Sequence, residues 1–560
     1  MAPTDDASKA TARLAQLQSH LPADYSDITS QLTHLETLAR TPPTTQASYQ
    51  RQLSRGKLWV RDRITSLLDP DSFYEIGPTT GSITWTSSSD GPPQPTDLIP
   101  SNNLQGRGTI NSRRVLLTAD DFAVRAGHAD GALMEKTLYV ERLALHTRTP
   151  IIKLVDGSSG GGSVTMTMKL GFTPLPSLHN FFSLVAQQCD LGIPNVGAIL
   201  GPAVGLGATR AAMCHFTVIA RDVGSFFAAG PKVVEHATFE EGLTNDELGG
   251  AALQTANGTL DNIALNEHDA FHQIRTFLSY VPSCGASELP PILLPSSDPI
   301  TRRDLEIATH IPRRPARAAN VPAIVDSLFD KDSVFVIGAT FSRTSLTALA
   351  RLGGHPVGVI ANLSSLALDA AGCKKIAKHL RMCDVFNLPV VQLIDCPGFA
   401  VGSAAEREAT MKAGVEMAKA YYSTTVPVYS IVVRRCYGVA GGIMVDPREM
   451  KERVFWPSAE FGSLPADGGG IEVAHRGELR KEAERRGREG YEKRLEELKR
   501  EYRAMENPLR AAARFNVEEV IRPEETRRWA GEWVARQYEK GGVLERRVAE
   551  RMAGRLVVRF

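Results

Sequence analysis

The sequence predicts an α/β fold built twice in tandem, with mainly parallel sheets. Two observations predict it. Short apolar runs alternate with amphipathic helical stretches, the pattern of strand–helix–strand units. Three segments also recur in the same order. Ser66–Gly77 (SLLDPDSFYEIG) returns as Ser327–Gly338 (SLFDKDSVFVIG). Thr149–Gly157 (TPIIKLVDG) returns as Leu388–Cys396 (LPVVQLIDC), and Ile193–Ala208 (IPNVGAILGPAVGLGA) as Val426–Gly441 (VPVYSIVVRRCYGVAG). Ordered recurrence marks an internal duplication. The spacing between partners shrinks along the chain, so the second copy has the shorter loops.

The elements follow in order. Arg114–Asp121 (RVLLTADD) reads as a strand, and Ala129–Thr147 carries apolar residues at helical spacing. Ile151–Val155 is a short apolar run, the mark of a buried strand. Leu175–Gly192 reads as a helix and Asn195–Gly201 as the next strand. The second copy gives strand Pro356–Asn362, helix Ala370–Phe386, strand Val390–Ile394, helix Ala404–Tyr422 and strand Val428–Val433. Residues 1–64 read as a polar, helical N-terminal extension. The proline-rich, polar stretch Ser283–Pro322 holds the break between copies. The expected division is a first domain over 65–290, a linker over 291–320, a second domain over 321–535 and a tail over 536–560. Gly477–Glu506 is a charged helix, whose ordinary meaning is a solvated face laced by i,i+4 pairs.

Composition narrows the function. The 560 residues are 42% hydrophobic and 23% charged, as in a globular protein. A net charge of +1 gives no general attraction to nucleic acid or to an anionic membrane. No apolar run approaches the ~18 residues of a membrane span. The start resembles neither a secretory signal nor a mitochondrial presequence, so the expected location is cytoplasmic. Seven cysteines (Cys189, Cys214, Cys284, Cys373, Cys383, Cys396 and Cys436) are odd in number and form no C-x-x-C pair. That argues against a disulfide framework and a zinc ribbon, and no metal is expected.

Glycines crowd the ends of the strands. After Ile151–Val155 come Gly160, Gly161 and Gly162; after Asn195–Gly201 come Gly205 and Gly207. The second copy has Gly398 and Gly402, then Gly438, Gly441 and Gly442. The first N–H groups of a helix lack internal partners, and glycine lets a ligand approach them. Such a turn binds an anion or stabilises a developing oxyanion. Asp156–Val164 (DGSSGGGSV) lacks the lysine of a nucleotide P-loop, and Gly205-Leu206-Gly207 is not followed by an acidic ribose partner. Two donor turns, one per copy, suit a reaction in which charge develops on two carbonyl oxygens.

The chain resembles the carboxyltransferase (β) subunits of biotin-dependent acyl-CoA carboxylases, of the propionyl-, acetyl- and methylcrotonoyl-CoA carboxylase type. The resemblance rests on VDGSSGGG, ILGPAVGLGA, Phe226–Ala251, Leu349–Asn362 (LARLGGHPVGVIAN), LIDCPGFAVG, RRCYGVAGG and Asn507–Arg527. It implies two tandem crotonase-like ββα-spiral domains with helical N-terminal and C-terminal extensions. It implies transfer of a carboxyl group from carboxybiotin, carried by a biotin carboxylase/biotin carrier (α-type) partner subunit, to the enolate of an acyl-CoA. One oxyanion hole, at Ser159–Gly162 (Gly160, Gly161, Gly162), is expected to hold the thioester oxygen. The other, at Gly438, Val439, Ala440 and Gly441, is expected to hold the biotin ureido oxygen. Gly205, Gly207, Ala208, Gly398, Phe399 and Gly442 are expected to line the binding sites. The resemblance requires no catalytic His or Glu; His215, His236 and His355 read as packing or surface residues. It also implies a homo-hexamer, with sites between the first half of one subunit and the second half of another.

Departures from the family text are local. The usual D-S-G-G-A-R is here Asp156–Ser163 (DGSSGGGS), and the usual Y-G-G-A or Y-G-A-G is Tyr437–Gly441 (YGVAG). A backbone donor survives any non-proline side chain, but Val439 is expected to narrow or reshape its hole. Gly442 stands where the family has a substrate-selecting side chain and leaves room for a larger acyl group. Met-Lys pairs at Lys169 and Lys412 lack the hairpin context of a biotinylation site. Two other functions are compatible with the residues: a CoA-ester decarboxylase of the same fold, and a non-catalytic assembly or regulatory homologue.

Overall fold

The computed structural model describes residues 5–18, 24–86, 93–131, 133–175, 179–314, 317–363, 366–445 and 452–560. Residues 1–4 and 19–23 of the expected N-terminal extension, 176–178 of the expected helix Leu175–Gly192 and 315–316 of the expected linker lie outside them.

The first half contributes β1 (Tyr74–Glu75), β2 (Gly81–Trp85), β3 (Pro95–Pro100), β4 (Asn103–Ile110) and β5 (Arg113–Asp120). Then follow β6 (Ile151–Gly157), β7 (Asn195–Val204), β8 (Phe216–Ala220), β9 (Ser225–Phe227) and β10 (Asn262–Ala264). The second contributes β11 (Phe335–Ile337), β12 (Ser345–Leu352), β13 (His355–Asn362) and β14 (Val390–Cys396). It ends with β15 (Val428–Tyr437), β16 (Glu452–Phe455), β17 (Glu460–Gly462) and β18 (Glu519–Val520).

The duplication holds down to the ladder. The two large sheets run β1-β4-β5-β6-β7-β8-β10 and β11-β12-β13-β14-β15-β16-β18. In each, the first two pairings are antiparallel and the remainder parallel. The register of β6 on β7 shifts between Val155 and Gly157; that of β14 on β15 shifts between Ile394 and Cys396. These are the same position in the two copies. Beyond it, β7 and β15 each pair with an extra strand, β9 and β17. A bulge of this kind re-aims the chain at a strand end, which is where the glycine turns begin.

Two expected helices are shorter than their apolar patterns. Ala129–Thr147 becomes helical only at Met134, because 3₁₀ turns occupy Arg125–Gly127 and Ala129–Gly131 and the Ala129 N–H is taken by the Gly161 carbonyl at 3.0 Å. Ala404–Tyr422 is two helices, Ser403–Arg407 and Thr410–Ser423, divided at Ala409, whose φ is 56°. The charged helix spans Arg476–Met505 and kinks at Gly487 (φ 66°). Its surface carries the expected pairs, such as Arg488–Glu492 at 2.6 Å. Leu479 and Leu498 pin it to Ala466 and Ile471.

The halves share one core. Phe216 stacks on Phe277 at 4.9 Å, and Phe277 meets Phe386 of the second half edge-on at 6.1 Å. Helix Val543–Met552, in the expected tail, is built into the second half: Arg547 pairs with Asp384 at 2.9 Å. The terminal Phe560 ring lies 4.5 Å from His215, across the seam. All seven cysteines are buried and unpaired. Burial raises the thiol of Cys214 to about 11, so it stays protonated.

Candidate active site

The first turn begins where β6, buried along its whole length, reaches Gly157. Gly157 has φ 123°, and a Cβ there would stand 2.5 Å from the Ala126 carbonyl oxygen, so the position demands glycine. Ser159 is also left-handed (φ 48°), held by its hydroxyl on the buried Asp120 carboxylate. Burial raises the pKa of Asp120, and the Ser159 hydroxyl opposes that rise. Ser158 Oγ donates to the Gly127 carbonyl at 3.0 Å and lies 3.1 Å from His128 Nδ1.

The three candidate glycines of this turn divide. Gly160 N–H donates to the Gly127 carbonyl at 2.8 Å, and Gly161 N–H to the Ser158 carbonyl at 2.9 Å. Both donors are therefore taken, that of Gly160 by a neighbouring loop and that of Gly161 within the turn. Gly162 N–H has no partner among the described residues, and a Cβ there would meet nothing within 4 Å. Ser163 then caps helix Val164–Leu170 by accepting the Met166 N–H at 3.3 Å.

Helix Leu206–Ala212 abuts this turn. It is entered through Gly205 (φ 56°) at the end of β7. A Cβ on Gly207 would stand 2.4 Å from the Gly157 carbonyl oxygen and 3.0 Å from Ser159 Oγ. Glycine at 207 thus lets the first turn of the helix, with its unpartnered N–H groups, sit directly against the Gly157–Gly162 turn. Ala208 is buried behind it.

The second turn is the equivalent of Gly205 in the other copy. β15 ends at Tyr437, Gly438 takes φ 62°, and helix Gly438–Val445 follows. The N–H groups of Gly438, Val439 and Ala440 lie in its first turn, where internal partners are missing, whereas the expected donor Gly441 is one turn in, where the helix ladder uses its N–H. The Val439 side chain is 67% exposed and points away from the buried Ala440, so it does not fill the turn from inside. A Cβ on Gly441 would stand 2.8 Å from the Cys436 carbonyl carbon; one on Gly442 would meet nothing within 4 Å. Val439 and Gly442, three apart, share the exposed face. Gly398 (φ 125°) is open, but Phe399 is committed to packing: its ring lies where a Cβ on Gly414 would stand, 2.6 Å away.

Each turn is anchored by a buried aspartate, and these occupy equivalent places. Asp156 pairs with Lys57 at 2.6 Å and Arg63 at 2.8 Å; Arg63 also holds Glu267 at 2.7 Å. Asp395 takes Arg435 through two bonds, of 2.7 and 3.0 Å. Tyr437 donates to Glu506 at 2.6 Å, tying the second turn to the end of the charged helix. Burial raises the Glu506 pKa. The sequence reading missed Asp120, His128, Asp395 and Glu506. Only the aspartates at 156 and 395 had a signal, since both lie in the recurring TPIIKLVDG/LPVVQLIDC segment. His215 is buried, His355 half-buried and His236 exposed.

Two backbone-donor turns on two copies of one sheet suit a class of enzyme in which negative charge develops on carbonyl oxygen. The carboxyl transferase domain family matches residues 51–541. The β5 subunit of a biotin-dependent acetyl-/propionyl-coenzyme A carboxylase from Mycobacterium leprae (strain TN) is 31% identical over 507 residues, spanning 88% of this chain and 89% of that protein. The mitochondrial propionyl-CoA carboxylase beta chain of Homo sapiens is 30% identical over 529 residues, spanning 92% and 93%. The structure of the transcarboxylase 12S hexamer with methylmalonyl-coenzyme A bound superposes with a TM-score of 0.78 at 27% identity, covering 92% of this chain and 96% of that one. The chain belongs to the carboxyl transferase domain family. It is a carboxyltransferase of the kind found in biotin-dependent acyl-CoA carboxylases.

Proposed function

We propose that the chain moves a carboxyl group from carboxybiotin on a partner carrier to the α-carbon of an acyl-CoA thioester, using its two turns as oxyanion holes. The observation that carries this is the pair of donor turns at the bulged ends of β6 and β15. The Gly162 N–H, with the first N–H groups of helix Leu206–Ala212, holds the thioester oxygen while the α-proton passes to the biotin ureido group that gives up the carboxyl. The N–H groups at Gly438–Ala440 hold the ureido oxygen, and the open edge at Val439 and Gly442 has room for it. Carboxybiotin, when bound, supplies the carboxyl group. One such donor is worth roughly 3–4 kcal/mol of barrier.

The carrier is a separate subunit. Lys169 lies on helix Val164–Leu170 and Lys412 on helix Thr410–Ser423, neither of them in a strand hairpin. The active site forms between copies of the chain in a hexamer. Supporting this, the neighbours of the first turn described above all come from the first half, and those of the second turn from the second half. Exposed apolar side chains also flank both: Val164 and Met168 after the first, Val401 and Val439 around the second. The reduced, buried cysteines favour a cytosolic enzyme.

The test runs transfer in reverse. The purified chain is incubated with malonyl-, methylmalonyl- or methylglutaconyl-CoA, with and without free biotin, and decarboxylation is followed. Biotin-dependent turnover is expected, and the preferred ester names the acyl group. Turnover indifferent to biotin would make the chain a decarboxylase. No turnover, even with a biotinylated carrier, would make it a non-catalytic subunit.

A further inference from the structure

A cavity of about 210 Å³ lies in the seam between the halves, away from both turns. The first half supplies Gly258 and Asp261; the second supplies Phe341 and one face of helix Ala370–Val385. That face carries Lys374 and Lys378, four apart on one row, and Lys375 and His379, four apart on the next. Three ammonium groups thus meet one carboxylate. Asp261 is already engaged: Oδ1 takes Lys378 at 2.6 Å, and Oδ2 takes the Thr217 N–H and hydroxyl at 3.0 Å each.

Two of these groups are poorly served by the protein. Lys375 is 6% exposed, and its ammonium donates to a single backbone carbonyl, Ser345 O at 2.9 Å. Burial lowers its pKa to about 8. His379 is 3% exposed, and among the described residues neither ring nitrogen meets a partner at full hydrogen-bond geometry, the Ala348 backbone giving only a weaker interaction. A buried cation and a buried imidazole left like this are costly unless something else satisfies them. Lys374 is exposed, at the edge of the same face.

We propose that this seam cavity is a binding site for a phosphate group, held by Lys374, Lys375, Lys378 and a ring N–H of His379. Phosphate matches the donors: it is compact, multiply charged and rich in acceptor oxygens, and lysine binds it as a point charge. The volume admits an inorganic phosphate or the phosphorylated end of a small metabolite. Because both halves line the cavity, its occupant bridges them. The inference does not rest on the carboxyl-transfer reading, since neither glycine turn lines the cavity.

The experiment titrates inorganic phosphate into the full-length chain at constant ionic strength, adjusted with chloride, and follows Tm and heat of binding. A saturable rise in Tm with matching heat is expected. Lys374→Glu changes an exposed residue, so it leaves Tm in phosphate-free buffer unchanged and weakens phosphate binding at least ~10-fold. His379→Gln, which keeps an N–H donor, retains more binding than His379→Leu. Glycerol 3-phosphate separates the sources. Binding as tight as that of inorganic phosphate assigns the site to a phosphate monoester, and binding of inorganic phosphate alone assigns it to the free ion. A Tm response equal to that of chloride, or unaltered binding in folded Lys374→Glu, overturns the proposal.

Discussion

At the residue scale, the site is a question of which N–H groups are free. The Gly160 N–H is taken by the Gly127 carbonyl and that of Gly161 by Ser158 within the turn, whereas the Gly162 N–H has no partner among the described residues. Gly162→Pro removes that donor at an open position, and kcat/KM is expected to fall about 10²–10³-fold in the decarboxylation assay. Gly162→Ala, which keeps the N–H and meets no neighbour, stays near wild type. Gly160→Ala acts differently. At φ 87° a side chain is strained, so denaturant unfolding should show a loss of at least about 1 kcal/mol. Gly442 addresses selectivity. A Cβ at 442 meets nothing within 4 Å in the isolated chain, and Gly442→Ile is expected to depress turnover of the bulkier acyl-CoA esters more than that of malonyl-CoA. Equal depression across the series would remove Gly442 from the acyl pocket.

At the element scale, the first turn depends on a segment far from it in sequence. Lys57 and Arg63, which the sequence reading assigned to the N-terminal extension, reach Asp156 under the end of β6. Removing one member leaves buried charge behind. Arg63→Met is expected to cost about 3–5 kcal/mol in denaturant unfolding. Helix Met134–Thr147 offers a pH test. Lys136 is pushed down to about 8 from 10.5 by burial, beside the Gly77 carbonyl at 3.0 Å. Between those two values the unfolded chain binds the extra proton. Stability therefore rises with pH across that window and the burial penalty is fully present below it. Lys136→Met should flatten this part of the stability–pH curve; an unchanged slope would contradict it.

At the scale of the whole molecule, one chain carries two donor turns with exposed apolar side chains beside each, which the proposed function takes as two half-sites. Val164 is 81% exposed, Met168 77% and Val401 89%, more than isolated surface residues require. Size-exclusion with light scattering should give a species near six times 60.8 kDa. Met168→Glu should shift it to smaller species and lower activity in parallel, with far-UV circular dichroism unchanged. Full activity from a monomeric variant would show that one chain completes its own site.

The sequence by itself determined the duplication, the alternation of strands and helices within each copy and the strand ends where glycine turns sit. These are local properties. Apolar runs report burial, glycines report backbone that other residues cannot adopt, and a repeated segment reports a repeated element. It also determined the family, because the matching motifs are dense. Only the tertiary structure decided which donors the turns present. The acceptor that occupies Gly160 is the Gly127 carbonyl, on a different loop. Phe399 is lost to packing because Gly414, on helix Thr410–Ser423, leaves a space for its ring. Val439 stays clear of its turn because the helix rotates it outward while Ala440 goes into the core. Whether a backbone N–H is free, or a side chain faces a site, depends on partners that only folding brings near, and no local pattern records them.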